Sequence, residues 1–133
     1  MTLRSGQYDR HVPAIAKLTV FALDCAEPQH LAEFYAAITG WGLDRDHGDW
    51  VQLRSDGGAT LAFQLAPDHQ PPVWPSNDHP QQAHLDFDVD DLDVGEAAVV
   101  ALGARKTDVQ PEPDAFRVFL DPAGHPFCLV LAD

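Results

Sequence analysis

Hydrophobic positions along the chain form short β-like runs and two helical stripes, in an order that occurs twice. Each half opens on a strand. Lys17–Leu23 (KLTVFAL) is nearly all apolar, as expected of a strand covered on both faces. His84–Asp90 (HLDFDVD) alternates instead, with Leu85, Phe87 and Val89 on one side and His84, Asp86, Asp88 and Asp90 on the other. A helical stripe follows each strand. In the first half Pro28 suits an early helical position, and Leu31, Phe34, Tyr35 and Ile38 recur at helical spacing up to a stop at Gly40. In the second half Asp93 is expected to cap the helix, with Glu96 completing a capping box. Val94, Ala97, Ala98, Ala101 and Leu102 should then form the buried stripe, and Gly103 should end it.

Hairpins come next in both halves. Trp50–Arg54 and Thr60–Leu65 flank Ser55-Asp56-Gly57-Gly58, and Phe116–Leu120 and Phe127–Leu131 flank Asp121-Pro122-Ala123-Gly124. Shorter strands are expected near Leu43–Arg45 and Arg105–Val109. Strand, helix and three strands are thus written twice, in modules of about 16–66 and 83–132. The connector 67–82 holds Pro67, Pro71, Pro72, Pro75 and Pro80, too many for a regular hydrogen-bonded ladder. The halves align with a step of 67 from Lys17 to His84, and of 64 from Gln64 to Cys128. Three extra residues in DCAEPQH would reconcile the two steps.

At 133 residues the chain fits a single domain spanning 1–133. Its 8 Lys and Arg against 21 Asp and Glu give a formal charge of −13. That balance excludes a nucleic-acid or anionic-lipid partner and favours cations. No apolar run reaches the roughly 20 residues that span a bilayer. Residues 1–12 carry Arg4, Asp9, Arg10 and His11 and lack a signal-peptide pattern. Cys25 and Cys128 match no metal or redox spacing, so they read as reduced thiols of a cytoplasmic protein.

LDCAEPQHLAEFYAAITGWGL (Leu23–Leu43), HLDFDVDDL (His84–Leu92), LGA (Leu102–Ala104) and LDPAGHPFCLV (Leu120–Val130) together resemble the vicinal oxygen chelate superfamily. That superfamily includes glyoxalase I, the bleomycin- and fosfomycin-resistance proteins and the extradiol dioxygenases; the small bacterial glyoxalase-like domains are most similar. The resemblance implies an α+β fold of two tandem βαβββ modules whose curved mixed sheets enclose a cleft. It also implies a homodimer, by analogy with drug-binding members whose clefts lie between two subunits. Metal-dependent members place ligands at four module-equivalent positions, which fall here on Lys17, Gln64, His84 and Cys128.

Only His84 among these is a usual ligand. A protonated lysine has donors and no acceptor, and its charge repels a divalent ion. No resident metal is therefore expected. The cleft is expected to be lined by Lys17, Gln64, His84, Asp86 and Cys128, with Trp50, Trp74 and Phe116 supplying flat apolar surface. Aromatic walls with a few convergent polar groups suit a small organic ligand, here a cationic or polar aromatic one. Asp86 is expected to pair with Lys17. His84 is the candidate general base should the protein be an enzyme. Cys128 sits in an apolar strand as a small hydrophobe, and would be a nucleophile only if a neighbour made it a thiolate. His11, His30, His47, His69, His79 and His125 fall in surface or turn contexts. Two other readings stay open: a metal-dependent lyase, isomerase or dioxygenase with its ion on His84, Asp86 and Cys128, and a module whose cleft is filled by its own side chains.

Overall fold

A computed structural model describes residues 13–133; the polar stretch with Arg4, Asp9, Arg10 and His11 lies outside the described residues. The first module contains β1 (Phe21–Cys25), α1 (Pro28–Thr39), β2 (Gly42–Asp46), β3 (Trp50–Arg54) and β4 (Thr60–Leu65). The second contains β5 (Leu85–Val89), α2 (Leu92–Ala101), β6 (Arg105–Lys106), β7 (Phe116–Leu120) and β8 (Pro126–Leu131). Each forms its own four-stranded mixed sheet, in the order β1-β4-β3-β2 or β5-β8-β7-β6. The first strand runs parallel to the last, and the remaining pairs are antiparallel. This is the twice-written α+β order read from the sequence. Among the described residues no strand pairs across the two sheets, so the sheets are not closed on one another.

Helix α1 packs on its own sheet and reaches Phe127 and Asp121 of the second module, α2 packs on β7 and β8, and the buried residues form one continuous core. Leu31, Phe34 and Tyr35 of α1 are buried, as their spacing requires. Gly40 ends the helix in the left-handed conformation, its N–H donating to the Ala36 carbonyl. Tyr35 stacks on Phe63 of its own module at 5.6 Å and meets Phe127 of the other edge-on at 6.2 Å. Its hydroxyl donates to the Asp121 carboxylate at 2.6 Å, deep in the core. The Ala123 and His125 N–H groups donate to the other carboxylate oxygen. Asp121 is only 3% exposed, and burial raises its carboxyl above the usual range although three hydrogen bonds work against that rise.

Four expectations need correcting. The first strand begins at Phe21, not Lys17, because β4 begins at Thr60 and Phe21 already pairs with Leu61. Upstream residues have no strand to pair with, and Leu18 is 89% exposed rather than covered on both faces. Helix α2 is capped by Asp91, whose carboxylate accepts from the Val94 N–H, not by Asp93. That helix buries Leu92 and Val99, while Val94 and Leu102 face outward. Gly95 turns toward the sheet, where a Cβ would lie 3.2 Å from both Leu129 and Val89.

The register between modules also differs. Phe21 pairs with Leu61 and Leu85 with Phe127, so the step from 21 to 85 is 64 and that from 61 to 127 is 66. Equivalent closing bonds agree: Ala66 N–H to the Cys25 carbonyl, and Ala132 N–H to that of Val89. So do the hairpin turns, where Ser55 bonds Ala59 and Asp121 bonds His125. The counterparts of His84, Asp86 and Cys128 are therefore Val20, Ala22 and Ala62, not Lys17 and Gln64.

Candidate functional site

Strand alternation sends Leu85, Phe87 and Val89 against the core and leaves His84 and Asp86 on the open face of the second sheet. Parallel pairing sets Cys128 of β8 directly beside Asp86. His84 Nε2 lies 3.2 Å from Asp86 Oδ1, and the His84, Asp86 and Cys128 donor atoms all fall within 4.8 Å of one another. Antiparallel β7 adds Phe116 and Val118 on the same face, opposite Val130 and Cys128. Two connector residues, Trp74 and Gln81, complete the wall of a cavity of about 430 Å³. Among the described residues no lysine or arginine lines it.

The cavity is mainly apolar with one polar pole. Cys128 is 8% exposed, and burial, followed by the charge and hydrogen bonding of Asp86, pushes its thiol up to about 11. At neutral pH it is a protonated thiol, which removes the thiolate nucleophile considered from sequence. Gln81 carries a side-chain oxygen that is out of contact with solvent and has no hydrogen-bond partner among the described residues.

The structure brings together His84, Asp86, Cys128, Trp74 and Phe116 of the residues singled out by sequence. It leaves Lys17, Gln64 and Trp50 elsewhere. Lys17 is exposed and precedes β1, and Asp86 pairs with His84 rather than with Lys17. Gln64 is the register counterpart of Val130, on the first sheet. Trp50 corresponds to Phe116, but its indole N–H donates to Gln52 at 3.1 Å. Gln52 in turn donates to Asp44, which also accepts from Arg54. Sequence reading missed Gln81, which sat in a proline-rich connector with no periodicity to place it.

A metal centre shared by two modules needs donor atoms from both. Val20, Ala22 and Ala62 offer none, so the residues present do not fit that four-ligand set. His84, Asp86 and Cys128 form the one group of this kind among the described residues. A slightly larger cavity, about 480 Å³, lies between β1 and the connector. Its His69 and His125 already hold the Ala123 and Asp24 carbonyls at 2.9 and 2.6 Å, so they are structural ties, not only surface or turn residues.

Solved structures share this fold. One is a glyoxalase/bleomycin resistance protein/dioxygenase family enzyme from Burkholderia phytofirmans, with 18% identity, TM-score 0.67, and coverage of 87% of this chain and 98% of that one. A genomically encoded fosfomycin resistance protein from Listeria monocytogenes, solved as a mutant with Mn(II) and 1S,2S-dihydroxypropylphosphonic acid, has 17% identity, TM-score 0.66, and coverage of 90% and 95%. TnmS3, an antibiotic binding protein from a Streptomyces species, has 22% identity, TM-score 0.58, and coverage of 92% and 100%. A search of the curated proteins returned no match. The family model described as a glyoxalase-like domain matches residues 20–130, from the end of the N-terminal lead-in to the last strand. On the paired modules, their register and this match, the chain belongs to the glyoxalase-like domain family.

Proposed function

We propose that the chain is a small-molecule-binding protein that takes a planar aromatic ligand, carrying a cationic or N–H-donating group, onto the open face of its second module without a resident divalent ion. The observation that carries this reading is the cavity's composition. Trp74 and Phe116 provide aromatic surface, His84 and Asp86 form the polar pole, and among the described residues no lysine or arginine reaches the cavity. Aromatic faces and a nearby carboxylate both attract an organic cation. Metal independence rests on the donorless counterparts Val20, Ala22 and Ala62. Antibiotic binding by TnmS3 is the same kind of use.

A homodimer belongs to the same reading. The cavity is open on one side, and Ile15 and Leu18, which precede β1, are fully or nearly fully exposed. A second copy would cover both, and light scattering at several concentrations tests it. The two free thiols, Cys25 and Cys128, support a reducing compartment such as the cytoplasm. No helix among the described residues is long and apolar enough to cross a membrane.

The test is a fluorescence titration of chelator-treated protein with proflavine, a planar aromatic cation. Saturable binding that ignores added zinc or manganese, and that weakens in Trp74→Phe and Asp86→Asn, is expected. Absence of saturable binding would overturn the ligand class. Stoichiometric metal uptake lost in His84→Ala would establish the metal-dependent alternative on His84, Asp86 and Cys128.

A further inference from the structure

We propose that Gly124, which does not line the cavity, is a positioning residue for it: the turn containing Gly124 seats the connector, and thereby Trp74 and Gln81, at the ligand site. The ligand role of those two residues rests on the reading above; the seat itself does not.

The β7–β8 turn is a fixed platform. Tyr35 holds Asp121 from the first module's helix at 2.6 Å. His125 Nε2 reaches the Asp24 carbonyl, also at 2.6 Å, at the end of β1. Asp121 closes the turn itself by accepting from the Ala123 and His125 N–H groups. A turn tied to the core, to β1 and to itself has little freedom to shift.

The connector rests on this platform at two points. His69 Nε2 donates to the Ala123 carbonyl at 2.9 Å, with its ring 5.0 Å from that of His125. Pro71 then lies directly over Gly124. A Cβ at Gly124 would stand 3.3 Å from Pro71 Cγ and 2.5 Å from its Cβ, the second closer than a side chain can come without a shift. Gly124 also has φ +90, which disfavours every L-residue. Beyond Pro71 the connector folds back through the Val73 N–H bond to the His79 carbonyl at 2.7 Å. That closure returns Trp74 and Gln81 to one cavity wall. The proline contact lies three residues before Trp74, so its height sets where the wall stands.

The experiment uses the full chain labelled with 5-fluorotryptophan, its Trp41, Trp50 and Trp74 signals assigned by single Trp→Phe variants. In Gly124→Ala the Trp74 signal should shift, with those of Trp41 and Trp50 unchanged. Proflavine affinity should fall about tenfold, the scale of one lost aromatic contact. Adding Pro71→Gly to Gly124→Ala should add little to the shift of the Trp74 signal or to the loss of affinity, because both changes break the same seat. Pro71→Gly alone tests the seat from the connector side if Gly124→Ala does not fold; it too should move the Trp74 signal. An unmoved Trp74 signal in the folded variants overturns the proposal whatever proflavine does. A moved Trp74 signal in a protein that never binds proflavine supports the seat and removes only the ligand reading.

Discussion

The two modules share a backbone and differ on their open faces. In the second module that face carries Phe116, Val118, Val130, Cys128, Asp86 and His84 around a cavity. At the matching positions the first module carries Trp50, Gln52, Gln64, Ala62, Ala22 and Val20. There the polar groups satisfy one another along a chain from the Trp50 indole through Gln52 and Asp44 to Arg54. On the second sheet Val118 replaces Gln52, so no such chain crosses the floor, and His84 with Asp86 stands at an apolar edge. The same strand order thus carries one face whose polar groups bond one another and one that bears a cavity. Function follows the side chains placed on the fold, not the fold.

The largest effect should come from giving the second face the first face's residues. His84→Val with Asp86→Ala is expected to weaken proflavine binding about a hundredfold, the scale of a lost charged hydrogen bond, in the fluorescence titration. The reverse exchange, Val20→His with Ala22→Asp, should create no second binding event, because the Trp50–Gln52–Asp44–Arg54 chain occupies the floor of that face.

The interface between modules should respond next. Tyr35→Phe leaves the buried Asp121 short of one donor and should cost about 1–3 kcal/mol in urea unfolding. The pH dependence has a definite sign. A carboxyl raised in the folded state binds more protons folded than unfolded, so its contribution to stability falls as pH rises above the ordinary value of about 3.9 and levels off above the raised one. Tyr35→Phe removes a bond that opposes the rise, so the decline should extend to higher pH.

A smaller effect concerns Cys128. Its thiol, held at about 11, should react slowly with iodoacetamide at neutral pH and faster as pH climbs toward that value. Asp86→Asn removes a raising influence and should accelerate the reaction, with mass spectrometry separating Cys128 from Cys25. Smallest of all, Gln52→Ala breaks the chain on the first face. It should lower stability by about 1 kcal/mol and leave proflavine affinity within about twofold, since the proposed site lies on the other sheet.

Much of this architecture was legible in the sequence. The hairpins at Ser55–Gly58 and Asp121–Gly124 were found because turn residues interrupt β-competent runs. The alternation of HLDFDVD placed His84 and Asp86 on an open face. Lys17 is misplaced because it opens a strand-like run just as His84 does, whereas the true counterpart is fixed by where β4 starts. The buried side of α2 was misread because Leu92–Ala101 is apolar on most sides, so periodicity alone selects no face. Close packing at Gly95 decides it. Gln81 and the Gly124 seat lay beyond reach, since both depend on how an aperiodic connector crosses a distant turn.

The asymmetry between the two faces is tested most directly by amide chemical-shift mapping of the ¹⁵N-labelled chain during a proflavine titration. His84, Asp86, Val118 and Cys128 should move with saturation, while Ala22, Gln52, Ala62 and Gln64 stay in place. Saturating shifts centred on the first sheet, or spread equally over both, would contradict it.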